Sequence, residues 1–307
     1  MPSVSDRLKH AIIGAHKLAQ RIGVDIVPSN YYSPVVKLPD LERTRSVWAQ
    51  KSEMPGLRID LDAQVQAMAS LCAPFRDEYA GNTAFREAVE HHFGPGYGYI
   101  EAQALHGVIR ALKPGRIVEV GSGVSTFCMH KALERNGAGK ITSIEPYPSA
   151  ALRALDSVEL IASPVQEVGL APFISLGPGD FLFIDSSHIV KPGSDVNFLY
   201  LEVLPRLPPG VTIHIHDIAF PFDYQPDTLQ TLYHWSEPAL VRAYLAFNEK
   251  VDILFCMSQL HYERPEALKE VFPEYQPAPH RDGLMEGRRV FRDSPGHFPA
   301  SLYLQTK

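Results

Sequence analysis

Val118-Glu119-Val120-Gly121-Ser122-Gly123-Val124-Ser125-Thr126, followed further on by Ser143-Ile144-Glu145-Pro146, decides how this chain is read. The first stretch is a short apolar run that ends in a glycine turn and opens a helical pattern; the second is another apolar run closed by a carboxylate. That order is how an α/β sheet holds an adenosine-containing ligand. Gly121 and Gly123 carry no Cβ, so the backbone can leave a parallel strand sharply and approach a ligand closely. Glu145 can accept both hydroxyls of a ribose. The dinucleotide fingerprint wants a third glycine three residues after the second, and this chain has Thr126 there. Thr126, together with Glu119 two residues before the turn, argues against a pyrophosphate-bearing nicotinamide or flavin. An acidic approach suits a cationic ligand, with Glu119 beside its amino group or sulfonium. A plain strand-turn-helix corner with no ligand is the competing reading.

Working outward, strand and helix patterns alternate from Tyr99. Helices are expected over Ile100 to Leu112, Ser125 to Asn136, Ser149 to Leu155 and Val196 to Leu204. Strands are expected over Arg116 to Val120, Lys140 to Glu145, Val158 to Ile161, Asp180 to Asp185 and Val211 to His216, with Val251 to Met257 and Ser301 to Gln305 as candidates for two more. Near-continuous apolar strands between helices specify a parallel sheet covered on both faces, and right-handed crossovers make it doubly wound. Ligands of such sheets bind beyond the carboxyl ends of the strands. The rule places Gly121, Glu145, Asp185, His216 and Asp217 on one rim, with Pro164-Val165-Gln166-Glu167 after the third strand beside them.

Four segments carry a family resemblance: Glu119-Val-Gly-Ser-Gly, Ile144-Glu145-Pro146-Tyr147, Asp180-Phe-Leu-Phe-Ile-Asp185-Ser-Ser-His188 and Pro209-Gly-Val-Thr-Ile-His-Ile-His216-Asp217-Ile218. From about residue 98 to the end, the chain resembles class I S-adenosylmethionine-dependent methyltransferases, and within them a bacterial branch associated with polysaccharide and natural-product tailoring. The resemblance implies an α/β fold: a doubly wound, mostly parallel seven-stranded Rossmann-like sheet whose last two strands are antiparallel. It implies S-adenosylmethionine (SAM) as cofactor and S-adenosylhomocysteine (SAH) as product. Glu119, Gly121, Ser122, Gly123, Ser125, Glu145, Pro146 and Asp185 would line the cofactor, and Val165 or Gln166 would meet the adenine.

Methyl transfer is an in-line displacement, so the acceptor must be positioned and must lose a proton. His188 is the expected base, because an imidazole of ordinary pKa suits neutral pH and its loop follows the fourth strand; a histidine that only orders that loop is the alternative. Asp217 and His216 complete the expected catalytic set. In related sugar and macrolide methyltransferases, the fourth-strand aspartate and an acidic pair after the fifth bind magnesium. Here, Asp185, Asp217 and His216 would be the ligands, but imidazole is a poor exchange for a hard oxygen ligand. A metal-free site is favoured, in which Asp217 orients a histidine or the acceptor. His214 faces the same side as His216 and is expected to be a hydrogen-bonded core residue.

The remaining sequence bounds the function. The chain has 307 residues, with 29 Lys and Arg against 35 Asp and Glu; that balance gives no cationic footprint for nucleic acid. Cys72, Cys128 and Cys256 show neither metal-ligand spacing nor pairing, in keeping with reduced core residues of a cytoplasmic protein. No apolar run is long enough to span a membrane. Residues 1–97 read as a helical N-terminal cap with almost no strand signal: a helix with one basic face from Ser5 to Arg21, packed on its apolar side, a Tyr31-Tyr32 loop, and helices over Leu61 to Cys72 and Asn82 to His92. Residues 98–307 read as the catalytic domain. A proline-rich irregular insertion at about 260–299, containing Arg281, Arg288 and Arg289, either closes over substrate or wraps the surface. The acceptor is expected to be a small polar molecule such as a sugar, peptide or natural product, methylated on a hydroxyl or amine. A nicotinamide-dependent oxidoreductase is the alternative, disfavoured by Thr126 and by the lack of a Tyr-x-x-x-Lys pair.

Overall fold

The computed structural model describes residues 4–94, 96–278, 282–285 and 296–307. It divides into two compact units, Met1–Trp48 and Ala49–Lys307. In the first, the helix Val4–Gln20 is followed by a loop and two short helices, Leu38–Arg43 and Arg45–Trp48. None of residues 8–48 is buried, and Leu8, Ile12, Ile13 and Leu18 stand exposed, so the expectation of a helix packed on its apolar side is corrected. A unit this short has too little chain to enclose a core.

The second unit is built on a seven-stranded sheet. Its strands are β1 (Arg116–Val120), β2 (Lys140–Ile144), β3 (Val158–Ile161), β4 (Phe181–Ile184), β5 (Thr212–Ile215), β6 (Val251–Cys256) and β7 (Leu302–Thr306). They lie in the order β3-β2-β1-β4-β5-β7-β6. The first five run parallel, and β7 slots antiparallel between β5 and β6. The expected α/β fold is therefore present, and the chain reverses direction about β1, between β2 and β4.

Alternation along the strands fills two cores. Ile117, Ile141, Phe181, Phe183, Phe255 and Tyr303 face the helices Leu61–Cys72, Tyr99–Leu112 and Val124–Asn136. Val118, Val120, Leu182, Ile184, Ile213 and Ile215 face Val196, Leu199, Val203 and Val241 on the opposite side. Gly107 lets the helix Tyr99–Leu112 press against Leu61–Cys72, since a Cβ there would lie 2.7 Å from the Cα of Cys72.

Three sequence expectations needed revision. The helix expected over Val196 to Leu204 is a single turn, Asp195–Phe198, that continues into a π-helical turn over Leu199–Val203 and a 3₁₀ turn over Leu204–Arg206. The helix expected over Ser149 to Leu155 shortens to Ala150–Arg153, capped by the Ser149 hydroxyl, which accepts from the Leu152 amide at 3.1 Å. The insertion expected to be irregular begins with two helices, Met257–Glu263 and Pro265–Val271, whose Leu260 and Leu268 are buried. Pro265 opens the second of these as its first residue, where a missing N–H costs nothing. Arg281, Arg288 and Arg289 lie outside the described residues. Among the described residues no helix is long and apolar enough to cross a membrane.

Candidate active site

The parallel ladder runs one residue past the strand ends, and this builds the rim. Glu145 donates its amide to the Ile161 carbonyl (3.1 Å), Gly121 to Ile144 (3.0 Å), Asp185 to Val120 (2.8 Å) and His216 to Ile184 (2.9 Å). Each strand thus delivers its motif residue in register with the next. Gly121 is demanded by this close packing: its φ is +77°, and a Cβ would lie 1.7 Å from the Asp185 carbonyl oxygen.

Glu119 faces inward with Ile117 and is wholly buried. Its carboxylate accepts hydrogen bonds from the hydroxyls of Thr126 (2.7 Å), Ser125 (2.8 Å) and Ser143 (2.9 Å). Thr126 in turn accepts from the Gly123 amide at 3.0 Å. Burial pushes the Glu119 carboxyl up to about 8 despite these bonds. The expectation that Glu119 and Ser125 meet the cofactor is corrected: both side chains are spent on holding the turn, and Thr126 supplies a bond that a third glycine could not.

The same bonds bear on ligand charge. The Gly121, Ser122 and Gly123 amides are all engaged, with Ile144, the Glu145 carboxylate (3.3 Å) and Thr126 respectively. A pyrophosphate would find none of these three donors free. Glu145, half-buried, also accepts from the Tyr147 amide at 2.7 Å. The hydroxyls of Ser122 and Ser186, each one residue past the rim positions of β1 and β4, are buried without a hydrogen-bond partner among the described residues. Val165 is buried in the core with Val118 and Val120, while Gln166 is exposed and Pro146 half-buried.

Beyond β4 and β5 stands a cluster of six ionisable groups. His188, buried, donates from Nδ1 to Glu237 Oε2 (2.7 Å), while its Nε2 lies 3.3 Å from Asp185 Oδ1 and 3.4 Å from Asp217 Oδ2. Burial alone would lower the His188 pKa, but the bonds to Asp185 and Glu237 and the charge of Asp217 outweigh it and raise it to about 10. Glu237 also accepts from the Tyr200 hydroxyl at 2.8 Å. His216 donates from Nε2 to the Gly96 carbonyl (3.0 Å), and its Nδ1 lies 3.3 Å from Glu101 Oε1. Burial opposes its charge as well, yet Asp217, Glu101 and Asp185 hold it well above the ordinary histidine range. Both histidines are therefore imidazolium at neutral pH. Both His188 ring nitrogens face carboxylate oxygens, an arrangement that favours an N–H on each and speaks against His188 as the general base.

Asp217, like Asp185, keeps 26% of its side chain accessible. Its carboxylate lies between the two imidazoliums, 3.5 Å from His216 Nε2 on the other side. Burial raises its pKa, the histidines lower it, and the balance is about 6. Asp185 ends below its ordinary value: burial pushes it up, and His216 and His188 more than compensate. His188 and Asp217 both adopt φ of +60°, a conformation that costs a non-glycine residue free energy and persists only where its surroundings impose it.

Asp185, His216 and Asp217 offer ligand atoms within 4.8 Å of one another, the spacing a metal needs. Their chemistry does not fit one. His216 Nε2 already donates to Gly96, and the His188 imidazolium takes the position between the two carboxylates where a cation would bind. His214 is core, as expected, but it is not hydrogen-bonded: neither nitrogen has a partner among the described residues. It stacks on Phe183 at 4.4 Å, and burial together with the His216 charge keeps it neutral.

A cleft of about 1140 Å³ opens at this end of the rim, with Val124, His216 and Asp217 at its edge. The sequence reading missed most of its wall: Glu101, Trp235 and the glycine-spaced run Gly94 and Gly96-Tyr97-Gly98. The glycines in that run were the available signal, since a Gly123 Cβ would lie 3.3 Å from the Phe93 carbonyl, showing how closely this segment crosses the turn.

Residues 118–218, which carry β1 to β5 and the rim of this doubly wound α/β sheet, match the family model described as a methyltransferase domain. Among relatives, an uncharacterised protein of Archaeoglobus fulgidus is 28% identical over 171 residues, covering 51% of this chain and 76% of that protein. The SAH-bound methyltransferase of Podospora anserina is similar over 92% of this chain and 99% of its own, at 17% identity and a TM-score of 0.36. The O-methyltransferase of Bacillus cereus in complex with SAH is similar over 62% and 90%, at 15% identity and a TM-score of 0.40. The O-methyltransferase TomG of Streptomyces achromogenes, solved with SAM and involved in tomaymycin synthesis, is similar over 70% and 86%, at 17% identity and a TM-score of 0.36.

Proposed function

We propose that this chain transfers a methyl group from SAM to a hydroxyl or amine of a small acceptor, without a metal, and that Asp217 receives the acceptor's proton. The observation that carries the reading is the rim itself. Gly121, Glu145, Asp185 and His216 follow four adjacent strands in register, and the cleft opens at the β5 end of that row, with His216 and Asp217 on its wall. Ser122 and Ser186 offer hydroxyls that a polar ligand would engage, Glu145 is placed for a ribose, and the turn's engaged amides favour a ligand without phosphate. The cofactor supplies an electrophilic methyl on a positively charged sulfur, which the four carboxylates Glu145, Asp185, Asp217 and Glu101 would attract.

The residues of the chain supply position and a proton acceptor. Positioning of this kind is worth about 7 to 11 kcal/mol of a barrier, and a placed base about a hundredfold to ten-thousandfold in rate. Of the cluster's two carboxylates on the cleft wall, Glu101 is held by Ala300 and Ser301, whereas Asp217 has its two oxygens fixed from either side by His188 and His216. The two histidines are positioning residues, and the proton moves from the acceptor to an Asp217 oxygen.

Thermal-shift titration should show stabilisation by SAH and none by NAD; the reverse order would sink the cofactor assignment. With an acceptor in hand, kcat/KM should rise with pH through about 6, where Asp217 loses its proton. Asp217→Asn should lower kcat by at least a hundredfold and abolish that rise while leaving SAH affinity within about threefold. An unchanged pH profile in this variant would exclude Asp217 as the proton acceptor.

A further inference from the structure

The cleft wall carries a second kind of information, about what the acceptor is made of. Its lining includes the rings of Phe85, Tyr97, Tyr99, Trp235, His297 and Phe298. Several are braced in fixed orientations. Phe85 meets Tyr99 edge-on at 5.4 Å, Tyr99 stacks with His297 at 6.0 Å, and Trp235 lies 4.6 Å from the His188 ring. Braced rings offer flat apolar surfaces with little conformational entropy left to lose.

The wall is as telling in its charges. Among the described residues it includes no lysine and no arginine, and its carboxylates are Glu101 and Asp217. Glu101 is occupied, accepting from the Ser301 hydroxyl (2.6 Å) and the Ala300 amide (2.9 Å). Two of the donors on the wall are committed, His216 to the Gly96 carbonyl and the Tyr99 hydroxyl to Glu274 Oε1 at 2.9 Å, while the Tyr97 hydroxyl is buried without a partner among the described residues. A phosphate or carboxylate here would meet the carboxylates of Glu101 and Asp217, and the positive His216 ring beside them is already paired with both. An acceptor with a hydroxyl on every carbon would bury most of them without partners, each at a cost in binding.

Resting on the methyl-transfer reading above, we infer that the acceptor is a flat, uncharged aromatic compound bearing a hydroxyl, which slides between these rings and presents that hydroxyl to Asp217. A sugar carried on a nucleoside diphosphate does not fit this wall. The inference narrows the sequence-based range of acceptors, which included carbohydrates.

The test uses the full chain saturated with SAH, with 2-naphthol and naphthalene-2,3-diol as aromatic probes and UDP-glucose and methyl glucoside as the competing chemistry. Binding is read by calorimetry. The aromatic probes should bind at least tenfold more tightly than either sugar, and Trp235→Ala should weaken them about tenfold, equivalent to 1.4 kcal/mol, without changing SAH affinity. Phe85→Ala, on a separate part of the wall, should do the same and covers the case in which the tryptophan variant does not fold. Tighter binding of a sugar probe, or aromatic binding indifferent to both ring deletions, would overturn the inference. SAH affinity is measured first and alone. Loss of SAH binding in the wild type defeats the cofactor reading, whereas SAH binding without aromatic binding defeats only this inference.

Discussion

Glu119 gives the sharpest physical test, because one buried carboxyl there sustains the turn and is itself strained by its surroundings. Glu119→Ala would leave the hydroxyls of Ser125, Thr126 and Ser143 buried without their acceptor. At about 1 to 3 kcal/mol for each orphaned group, the loss is roughly 3 to 9 kcal/mol, against a typical total stability of about 5 to 15 kcal/mol. Glu119→Gln is the more informative change, since it keeps an acceptor oxygen and removes the titration. The carboxyl is raised from 4.5 to about 8 in the fold. An acid whose folded pKa is raised binds its proton more tightly in the native state, so its ionisation destabilises the fold as pH rises from about 4.5 to 8. The full span amounts to at most about 5 kcal/mol, and even about 1 kcal/mol moves Tm by about 2 to 4 °C for a unit of this size. Thermal or urea unfolding of wild type and Glu119→Gln should be compared at pH 5, 6.5 and 8; all other groups titrate alike in both, so the difference isolates Glu119. Wild type should be favoured over the variant most at pH 5 and progressively less towards pH 8. A difference that stays constant across this window would refute the buried, raised carboxyl and the hydroxyl network argued from it.

Three further outcomes follow from the same geometry. Gly121→Ala should abolish SAH binding and cost more than about 3 kcal/mol in urea unfolding, because its Cβ would collide with the Asp185 carbonyl at a left-handed φ. His188→Gln should destabilise the protein by about 3 to 5 kcal/mol, because it removes the cation from among Asp185, Asp217 and the buried Glu237. As the folded His188 pKa lies above 6.5, its contribution is complete below that pH and disappears as pH rises through about 10, so the Tm gap between wild type and variant should close between pH 7 and 10.5. Dialysis against a chelator should leave methyl transfer unchanged; activity lost and then restored by magnesium would show that the imidazolium does not replace the cation.

What could be read from the sequence follows the range of the interactions. The strands, the turn and the rim were legible because each depends on local patterning, and parallel strands place their carboxyl ends on one edge whatever else the chain does. The protonation of His188 was not, because a residue's pKa belongs to its partners. His188 looks poised near neutrality as an isolated imidazole, yet Glu237, 49 residues later, fixes its Nδ1. Glu101 was equally invisible: it sits in a helix and bonds Ala300 and Ser301, 199 and 200 residues away. Glu119 was seen but misassigned, since an acidic residue at a strand end looks the same whether it serves a ligand or three hydroxyls. The broken helix over 195–206 and the helix begun by Pro265 show the same limit, where packing and one proline's position settled what periodicity left ambiguous.

In the proposed mechanism, the two imidazoliums take the place of a metal in a set of residues with metal spacing. Asp185 and Asp217 would repel each other across the gap between β4 and β5, and some cation has to stand between them. A divalent ion would do so equally from all sides and would withdraw charge from both carboxylates. The His188 N–H does so directionally, at 3.3 and 3.4 Å, and is itself tethered by Glu237. Asp217 therefore keeps enough basicity to take a proton, with a pKa near 6 rather than the depressed value of its neighbour Asp185. The left-handed φ of +60° at both His188 and Asp217 aims the two side chains at each other, and its cost is offset by the ion pairs it permits. On the proposed mechanism, a tethered imidazolium in place of a metal would convert two carboxylates of similar chemistry into one that stays ionised and one that can exchange a proton with the acceptor.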